Sequence, residues 1–411
     1  MKKVILILSV ATLVSCSLFK KAQKIDSSEL ANYRSDVTYL ADDKLEGREV
    51  GTKGEILAAN FIAKRLKEME ISPKGINGTY FQEFKRKKKA HPHDNVGTGE
   101  EVTGRNVVGF LDNGAEKTIV IGAHYDHLGY GEEGSLHGSS GEIHNGADDN
   151  ASGVAALLGL AKKLKAKNLK TNVLFIAFSG EEKGLWGSNF FAKNPTIPKS
   201  DIKYMINMDM VGRLDKNKRL AVYGIGTSPL FRDILEETNT FGFKNKYDSS
   251  GVGPSDHTSF YLEDIPVLHF FTGQHSDYHK PTDDTEFINF KGIGLVSNYI
   301  EAIVLNLNDK AEIPFTKTKS RDTKSRNFKV TLGVIPDYLY DGKGMKLDGV
   351  KVGRPAEKGG VIKGDIVIKM GDYEIKTMMD YMKSLGKFEK GQTIKVIVDR
   401  DGEILTKEIT F

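Results

Sequence analysis

Short apolar runs alternate with segments of helical periodicity over the first three quarters of the chain. The apolar runs are nearly continuous, which is typical of strands that are buried on both faces of a parallel sheet. They predict strands at 118–123, 172–178, 204–208, 220–223 and 266–271. The periodic segments predict helices at 151–165, 185–192 and 229–238. This alternation predicts an α/β fold, a mainly parallel, doubly wound sheet with helices on both faces.

One more helix is predicted just after Thr52. The sequence Thr52-Lys-Gly-Glu55 has the spacing of a capping box, in which the two side chains bond to the backbone at the start of a helix. Four apolar residues at helical spacing predict its buried face: Ile56, Ala59, Ala63 and Leu66.

The last quarter of the chain has a different pattern. Residues 316–326 are almost entirely polar and are typical of a linker. Beyond them, strands are predicted at 330–335, 349–352, 365–370 and 393–399, with one helix at 378–385. We therefore place the α/β domain at 29–312, a linker at 313–326 and a small strand-rich domain at 327–411.

The first residues predict export. Lys2 and Lys3 precede an apolar run at 4–14 that is too short to span a bilayer. The run ends at Leu13-Val14-Ser15-Cys16, which resembles a bacterial lipobox. We therefore expect a lipoprotein signal peptide at 1–15, a lipid anchor on Cys16 and a tether at 16–28. The protein would then lie at the membrane, on its periplasmic or cell-surface side.

Composition narrows the functional classes. The chain has 411 residues, of which 39% are hydrophobic and 28% are charged, as in ordinary soluble domains. Its formal net charge of +4 gives no indication of nucleic-acid binding. The basic run at 85–89 is typical of a solvated loop.

Polar residues follow several of the predicted strands directly. His124 and Asp126 follow strand 118–123, and Glu181 and Glu182 follow strand 172–178. Asp209, Asp149 and His279 lie in similar positions, after strand 204–208, before helix 151–165 and beyond strand 266–271. Because sites in open α/β sheets form outside the carboxyl ends of the strands, we expect these side chains to meet at one edge.

Imidazole and carboxylate ligands without thiolate suit a catalytic zinc site that keeps a position open for water. Cys16 is the only cysteine, so thiolate ligands are excluded from the α/β domain. Two metals that lie close together share a ligand, and a carboxylate with two oxygens can bridge them. A further carboxylate has to stay off the metals to move protons.

The order of these motifs resembles a known family. The motifs are His124-Tyr-Asp126, Gly146-Ala-Asp-Asp-Asn-Ala-Ser-Gly153, Glu181-Glu182, Asn207-Met-Asp209-Met and His279. They resemble the co-catalytic zinc aminopeptidase family, which also includes glutamate carboxypeptidase II, glutaminyl cyclases and the transferrin receptor ectodomain. The resemblance covers about residues 30–310.

This resemblance implies two zinc ions and five ligands. Asp149 is expected to bridge the two ions. His124 and Asp209 are expected to complete one site, and Glu182 and His279 the other.

The resemblance also implies the catalytic roles. Glu181 is expected to be the general base, and Asp126 to fix the tautomer and orientation of His124. Tyr278 matches a tyrosine that donates to the tetrahedral intermediate in some relatives. The Asp149–Asn150 peptide bond is expected to be cis. The other histidines are interpreted as structural: His269 in the core, His257 in a loop, and His127 and His275 near the ligands but off the matched positions.

The implied function is a metallopeptidase that acts on peptides, most simply an aminopeptidase that releases N-terminal residues. A carboxypeptidase or dipeptidase on the same metal core remains an alternative. The inserted domain of glutamate carboxypeptidase II is expected to be absent, because only about twenty residues separate Phe84 from Asn106. Glutaminyl cyclase, with one zinc, and a non-enzymatic receptor-like scaffold fit the complete set of ligands less well.

The strand-rich C-terminal domain resembles a PDZ domain. The resemblance rests on Leu332-Gly333-Val334-Ile335 and on the segments 355–360 and 363–370. It implies a peptide or protein ligand that adds as a strand beside a carboxylate-binding loop. Thr331 stands where that loop usually begins with glycine, so a spacer without a ligand remains the alternative.

Overall fold

The computed structural model describes residues 25–87, 99–138, 141–318, 329–336, 340, 342–350 and 353–411. The predicted signal peptide, Cys16 and residues 319–326 of the predicted linker lie outside these residues. Within them, no helix combines the length and the apolar character needed to cross a membrane.

Strands and helices alternate in the larger, N-terminal domain. Its strands are β1 (Ser72–Pro73), β2 (Phe81–Lys87), β3 (Glu101–Leu111), β4 (Thr118–His124), β5 (Asn172–Phe178), β6 (Ile202–Met208), β7 (Arg219–Tyr223), β8 (Lys244–Tyr247) and β9 (Val267–Phe271). Its helices are α1 (Ser27–Leu40), α2 (Lys53–Glu68), α3 (Gly153–Lys165), α4 (Trp186–Lys193), α5 (Phe231–Thr238), α6 (His257–Tyr261) and α7 (Phe290–Leu307).

The sheet of this domain is mixed. Its order is β1-β3-β5-β4-β6-β9-β7-β8, with β2 paired to β3. The four central strands β5, β4, β6 and β9 are parallel to one another, whereas β3 joins β5 and β7 joins β9 in antiparallel fashion. The predicted α/β fold is therefore confirmed, and its parallel part is the centre of the sheet. The antiparallel edges were not predicted, because β2, β3 and β8 carry many polar residues.

Burial explains the parallel centre. Every residue of β4, β5 and β6 is buried, as expected for strands covered by helices on both faces. Helix α3 packs against β4 and against α7, and its buried face includes Val154, Leu157 and Leu158. These strands therefore hold their carboxyl ends at fixed positions along one edge.

Helix α2 begins where the sequence predicts, but it buries a different face. Thr52 accepts a hydrogen bond from the Glu55 backbone N–H, as the capping box predicts. The Glu55 carboxylate, however, accepts from Gly51 and Arg105 backbone N–H groups instead of reaching back to Thr52. Because Glu55 itself points inward, Ile56 is turned towards solvent, 36% exposed, and the prediction of a buried Ile56 was wrong.

The C-terminal domain has its own sheet and core. Its elements are β10 (Val334–Pro336), β11 (Met345–Val350), α8 (Pro355–Lys358), β12 (Ile366–Met370), β13 (Tyr373–Glu374), α9 (Met378–Leu385), β14 (Thr393–Arg400) and β15 (Glu403–Thr410). The sheet order is β10-β11-β12-β14-β15, and all its pairings are antiparallel. Helix α9 agrees with its prediction, whereas the second strand begins at Met345 and not at residue 349, and β15 was not predicted.

Candidate metal centre

The predicted site residues meet at the carboxyl edge of the parallel strands. His124 ends β4, Glu181 and Glu182 follow β5, and Asp209 follows β6. Asp149 lies in the tight turn Ala147–Ser152 that precedes α3. The Asp149–Asn150 peptide bond in this turn is cis, as predicted.

The first cluster comprises His124, Asp149 and Asp209. His124 Nε2 lies 3.3 Å from Asp149 Oδ1 and 3.3 Å from Asp209 Oδ1. Zinc holds nitrogen and oxygen ligands at about 2.0–2.1 Å in a tetrahedron, which places neighbouring ligand atoms about 3.3 Å apart. The three side chains therefore fit a zinc ion, and their ligand atoms are mutually within reach of one ion.

The second cluster uses the other oxygen of Asp149. His279 Nε2 lies 3.3 Å from Asp149 Oδ2 and 3.2 Å from Glu182 Oε2. These separations also fit tetrahedral zinc. Asp149 therefore presents one oxygen to each cluster, which is the arrangement that a bridging ligand requires.

Both histidines have their Nδ1 atoms directed at backbone carbonyls. His279 Nδ1 lies 2.9 Å from the Gly134 carbonyl oxygen, and His124 Nδ1 lies 3.3 Å from that of Asp126. An Nδ1–H donated to a carbonyl leaves the Nε2 lone pair free for a metal. The Asp126 carboxylate is farther from His124 Nδ1, at 3.7 Å. It accepts instead from the backbone N–H groups of Glu181, at 3.1 Å, and Glu182, at 3.4 Å.

His127 also approaches the second cluster, although the sequence predicts a structural role for it. Its Nδ1 lies 4.0 Å from Asp149 Oδ2 and 2.9 Å from Glu182 Oε1, so it is within metal-binding reach of both. The shorter separation is typical of a hydrogen bond and is too short for two ligands of one tetrahedral zinc. We therefore assign His127 as a donor to Glu182, and His279 as the candidate ligand.

Glu181 lies beside both clusters without joining either. Burial raises the pKa of Glu181 well above its usual range, and the nearby Glu182, Asp209 and Asp256 raise it further against the opposing effect of His124. A carboxyl group with a raised pKa gains and loses a proton more readily near neutral pH.

The pKa values of the candidate ligands Asp149 and Glu182 are lowered, in contrast to that of Glu181. Burial alone raises the pKa of Asp149, but His124 and His279 outweigh it, so that this pKa falls well below its usual range. The pKa of Glu182 falls to about 2, because His279 and His127 outweigh burial. Both side chains are therefore ionised at neutral pH, and their charge favours bound cations.

A cleft of about 130 Å³ opens over the site. Glu181 and Tyr278 line it together with Met210 and Phe271. The Tyr278 ring stacks on the His279 ring, with 3.9 Å between their centroids. The cleft therefore combines charged groups with apolar walls.

Asp148 and Asp283 fix the turn that carries Asp149. Asp283 Oδ2 accepts from the backbone N–H groups of Asp148 and Asp149, each at 3.0 Å. Asp148 Oδ2 lies 3.2 Å from His275 Nε2, and Asp148 Oδ1 accepts from the Gly212 backbone N–H. Asp148 and His275 therefore support the turn and belong to neither cluster.

Arg48 was not identified from the sequence. This fully buried guanidinium donates to the carbonyls of Tyr125, Asn145 and Gly146, and also to that of Leu40. Burial lowers the pKa of Arg48 to about 10. Because Tyr125 follows the candidate ligand His124 and Gly146 precedes the Asp149 turn, Arg48 holds together the two loops that carry these candidate ligands.

His257 and His269 form a buried pair at the cleft, which His269 lines. His257 begins helix α6 and does not lie in a loop as interpreted from the sequence. The two histidine rings stack with centroids 4.4 Å apart, and Asn207 lies 3.1 Å from His269 Nδ1. Burial lowers the pKa of His257 to about 3. The prediction that His269 belongs to the core is confirmed.

Comparison with known proteins agrees with this geometry. Residues 106–304 match the family described as Peptidase family M28, and residues 313–411 match the PDZ domain. This M28 match covers most of the larger domain, which we call the M28 domain after it. The C-terminal sheet lies within the part that matches the PDZ domain, and we call it the PDZ domain.

Similar proteins include named aminopeptidases. Aminopeptidase YwaD of Bacillus subtilis is 27% identical over 220 residues, which are 50% of this chain and 45% of the relative. A probable leucine aminopeptidase of Arthroderma otae is 31% identical over 196 residues, covering 43% of this chain and 50% of the relative. The chain thus spans about half the length of these curated relatives.

Solved structures share the fold of the M28 domain. A zinc aminopeptidase from Bacillus subtilis is 17% identical, with a TM-score of 0.55 over 68% of this chain and 95% of that one. A Zn-dependent exopeptidase from Parabacteroides distasonis is 19% identical, with a TM-score of 0.56 over 67% and 98%. A glutaminyl cyclase from Bacteroides thetaiotaomicron has the same TM-score, 0.56, at 18% identity over 69% and 99%. The fold is therefore that of zinc exopeptidases, and it is shared by more than one activity.

Proposed function

We propose that this protein is a two-zinc metallopeptidase that removes residues from the amino end of peptides. The observation that carries the proposal is the position of Asp149. Its two oxygens lie 3.3 Å from His124 Nε2 and 3.3 Å from His279 Nε2, so one carboxylate serves two separate ligand clusters. A single-zinc glutaminyl cyclase has no use for the complete cluster of His124, Asp149 and Asp209.

The residues of the cleft account for peptide hydrolysis. Zinc ions held by His124, Asp149 and Asp209 and by Asp149, Glu182 and His279 would lower the pKa of a bound water and polarise the scissile carbonyl. Glu181 takes a proton from the water and returns it to the departing amine. Tyr278 lines the cleft beside His279, where a phenol can donate to the oxygen on which charge develops.

The charge of the cleft favours an aminopeptidase over a carboxypeptidase. Four carboxylates line it: Asp149, Glu181, Glu182 and Asp209. Among the described residues that line the cleft, none is lysine or arginine. A carboxypeptidase has to hold the terminal carboxylate of its substrate, for which arginine is the usual partner. An ammonium group is the better complement to this lining.

The proposal is tested with the purified full chain and matched peptides. We expect a peptide with a free amino end and an amidated carboxyl end to be hydrolysed, and its N-acetylated counterpart to be inert. Removal of metal by a chelator should abolish hydrolysis, and active protein should contain two metals per chain. Active protein with at most one metal per chain, or hydrolysis of the acetylated peptide alone, would reject the proposal.

We also propose that the chain is an exported lipoprotein anchored through Cys16, with its M28 and PDZ domains on the periplasmic or cell-surface side. The lipobox-like sequence before Cys16 supports this localisation. The test is the Cys16→Ser variant, which should move from the membrane fraction to the soluble fraction. Retention of this variant in the membrane would contradict a lipid anchor at Cys16.

A further inference from the structure

A second, larger cavity adjoins the metal cleft. It measures about 550 Å³ and shares two lining residues, Tyr223 and Pro254, with the cleft. Its other walls come from the end of β8 in the M28 domain and from two segments of the PDZ domain, 342–346 and 376–378. The space above the metal centre therefore continues to the PDZ domain.

The PDZ domain presents an open strand edge in this region. β10 pairs only with β11 among the described strands, so its other side has no strand partner. Val334 of β10 and Met378 and Met382 of α9 are partly buried against the PDZ core, and they keep part of their apolar surface exposed. An open strand edge with apolar neighbours is the surface on which an extended peptide adds as a strand.

The loop before β10 is poorly suited to a terminal carboxylate. The Gly333 backbone N–H donates to Thr331 Oγ1, at 3.0 Å. Capture of a carboxylate uses free backbone N–H groups of such a loop, and here one of them already has an acceptor within the chain. The edge of β10 is therefore better suited to the main chain of an internal peptide segment.

The end of the edge strand that faces the metal centre can also be identified. Met378, at the start of α9, lines the second cavity, and so does Tyr340, beyond the carboxyl end of β10. Lys246 of the M28 domain donates to the Tyr340 carbonyl, which joins the two walls there. A chain that leaves the metal cleft past Tyr223 thus reaches the carboxyl end of β10 first.

We propose that the segment of the substrate downstream of the cleaved bond crosses the second cavity and adds to β10 as an antiparallel strand. This inference rests on the proposed aminopeptidase function. It makes the preferred substrate an extended, unstructured peptide of several residues, with its amino end at the metals and its later residues on the PDZ domain. Three lysines and one aspartate, Asp248, line the cavity, so its charge balance favours acidic residues in that segment. The lysines are Lys246, Lys346 and Lys376.

Substrate length is the first test. Peptides of about two to twelve residues with the same N-terminal residue should show kcat/KM rising roughly tenfold or more with length, because the second contact raises the effective concentration of the amino end. The free-acid and amidated forms of the longest peptide should have the same kcat/KM, because the Gly333 backbone N–H already donates to Thr331 Oγ1 and is not free for a carboxylate. If the protein hydrolyses the dipeptide but kcat/KM does not rise with peptide length, the inference is overturned. A strong preference for the free-acid form of the longest peptide would also overturn it.

A matched pair of variants locates the effect. Met378→Asp places a charge beside the open edge and should remove the gain with length while leaving dipeptide hydrolysis unchanged. Ile404→Asp is the control, because Ile404 is exposed on β15 at the opposite edge of the same sheet. An unchanged length series in Met378→Asp would refute the assignment. If that variant does not fold, the wild-type length series decides alone.

Failure of the inference can be separated from failure of the proposed function. If metal-loaded protein hydrolyses no peptide of any length, the aminopeptidase proposal has failed. Binding of an N-acetylated, fluorescein-labelled dodecapeptide to the full chain then tests the groove by itself. We expect anisotropy to show binding that Met378→Asp weakens and Ile404→Asp does not, and absence of binding would reject the groove.

Discussion

His127 Nδ1 lies 2.9 Å from Glu182 Oε1, closer than either candidate ligand histidine lies to a carboxylate oxygen of its cluster. The hydrogen bond occupies one oxygen of Glu182 and leaves Oε2 directed at His279. His127 thus orients Glu182, a candidate metal ligand. The Nε2 atom of His127 is itself buried without a hydrogen-bond partner among the described residues.

We expect His127→Ala to weaken metal binding at the second cluster by about 10- to 100-fold, as is typical when a residue that orients a ligand is lost. The measurement is metal content after dialysis against a graded series of chelator concentrations. His137→Ala is the control, because His137 forms a surface ion pair with Glu142 at 3.0 Å. Metal affinity equal to that of the wild type would show that Glu182 needs no such support.

Glu181→Gln should lose turnover by about 10²- to 10⁴-fold, because general acid–base catalysis has that magnitude. Its metal content should stay at the wild-type value, since Glu181 belongs to neither cluster. Steady-state kinetics and metal analysis of the same preparation provide both readouts. Glu142→Gln, at an exposed carboxylate, is the control. Near-normal turnover in Glu181→Gln would place the base elsewhere.

Arg48→Met should destabilise the M28 domain by at least about 3 kcal/mol, because four buried carbonyls would lose their donor at once. Urea unfolding of the metal-free protein measures the loss without a contribution from metal release. Arg232→Met, which breaks an exposed pair with Glu236, should cost less than about 1 kcal/mol. A similar effect of the two substitutions would contradict the role of Arg48.

His257 should make the metal-free protein less stable in acid. Its pKa falls to about 3 in the folded state through burial. As pH falls, the unfolded chain therefore binds a proton at this histidine before the folded protein does. The free energy of unfolding is highest above the ordinary histidine pKa of about 6.5, and it decreases as pH falls towards the pKa of His257 in the folded state. Between about pH 7 and about pH 5.5, the wild type should lose roughly 1 kcal/mol more than His257→Gln.

The comparison with His257→Gln is needed because Asp256 changes the free energy of unfolding in the opposite direction as pH falls. Burial and nearby carboxylates raise the pKa of Asp256 to about 7, so its contribution favours the folded state as pH falls through that value. Urea unfolding of both proteins at each pH isolates the share of His257. His137→Gln, at an exposed histidine, should follow the wild type. Parallel curves for wild type and His257→Gln would exclude the effect.

The sequence predicted the parts of the fold in which burial is uniform. β5 is fully buried and lies where its apolar run predicts it. The edge strands were missed for the converse reason: β2 alternates buried Gln82 and Phe84 with exposed Glu83 and Lys85, and two of those four side chains are charged. Pairing with β3 determines this strand, and that pairing cannot be read from the hydrophobic pattern of β2 itself.

The same distinction applies to the site. His124, Glu182 and Asp209 lie at or just beyond strand ends, so their convergence could be predicted from the strands. Asp149 and His279 were assigned through the order of the family motifs. Arg48 could not be found this way, because its acceptors Tyr125, Asn145 and Gly146 are 77 to 98 residues away. A buried arginine is recognised only when the carbonyls around it are in place.

Gly47, directly before Arg48, has a φ of +67°, and a Cβ there would lie 2.6 Å from the Gly129 and His144 carbonyl oxygens.

The open edge of β10 has a consequence for the order in which products appear. Strand pairing repeats every two residues, and a shift by one residue turns every side chain to the other face. In the proposed aminopeptidase reaction each cycle would shorten the peptide by one residue, so a segment that stayed on β10 would be out of register for the next cut. The two proposals together therefore predict that the peptide leaves the strand between cycles, so that digestion is distributive and intermediates shortened by single residues accumulate free in solution.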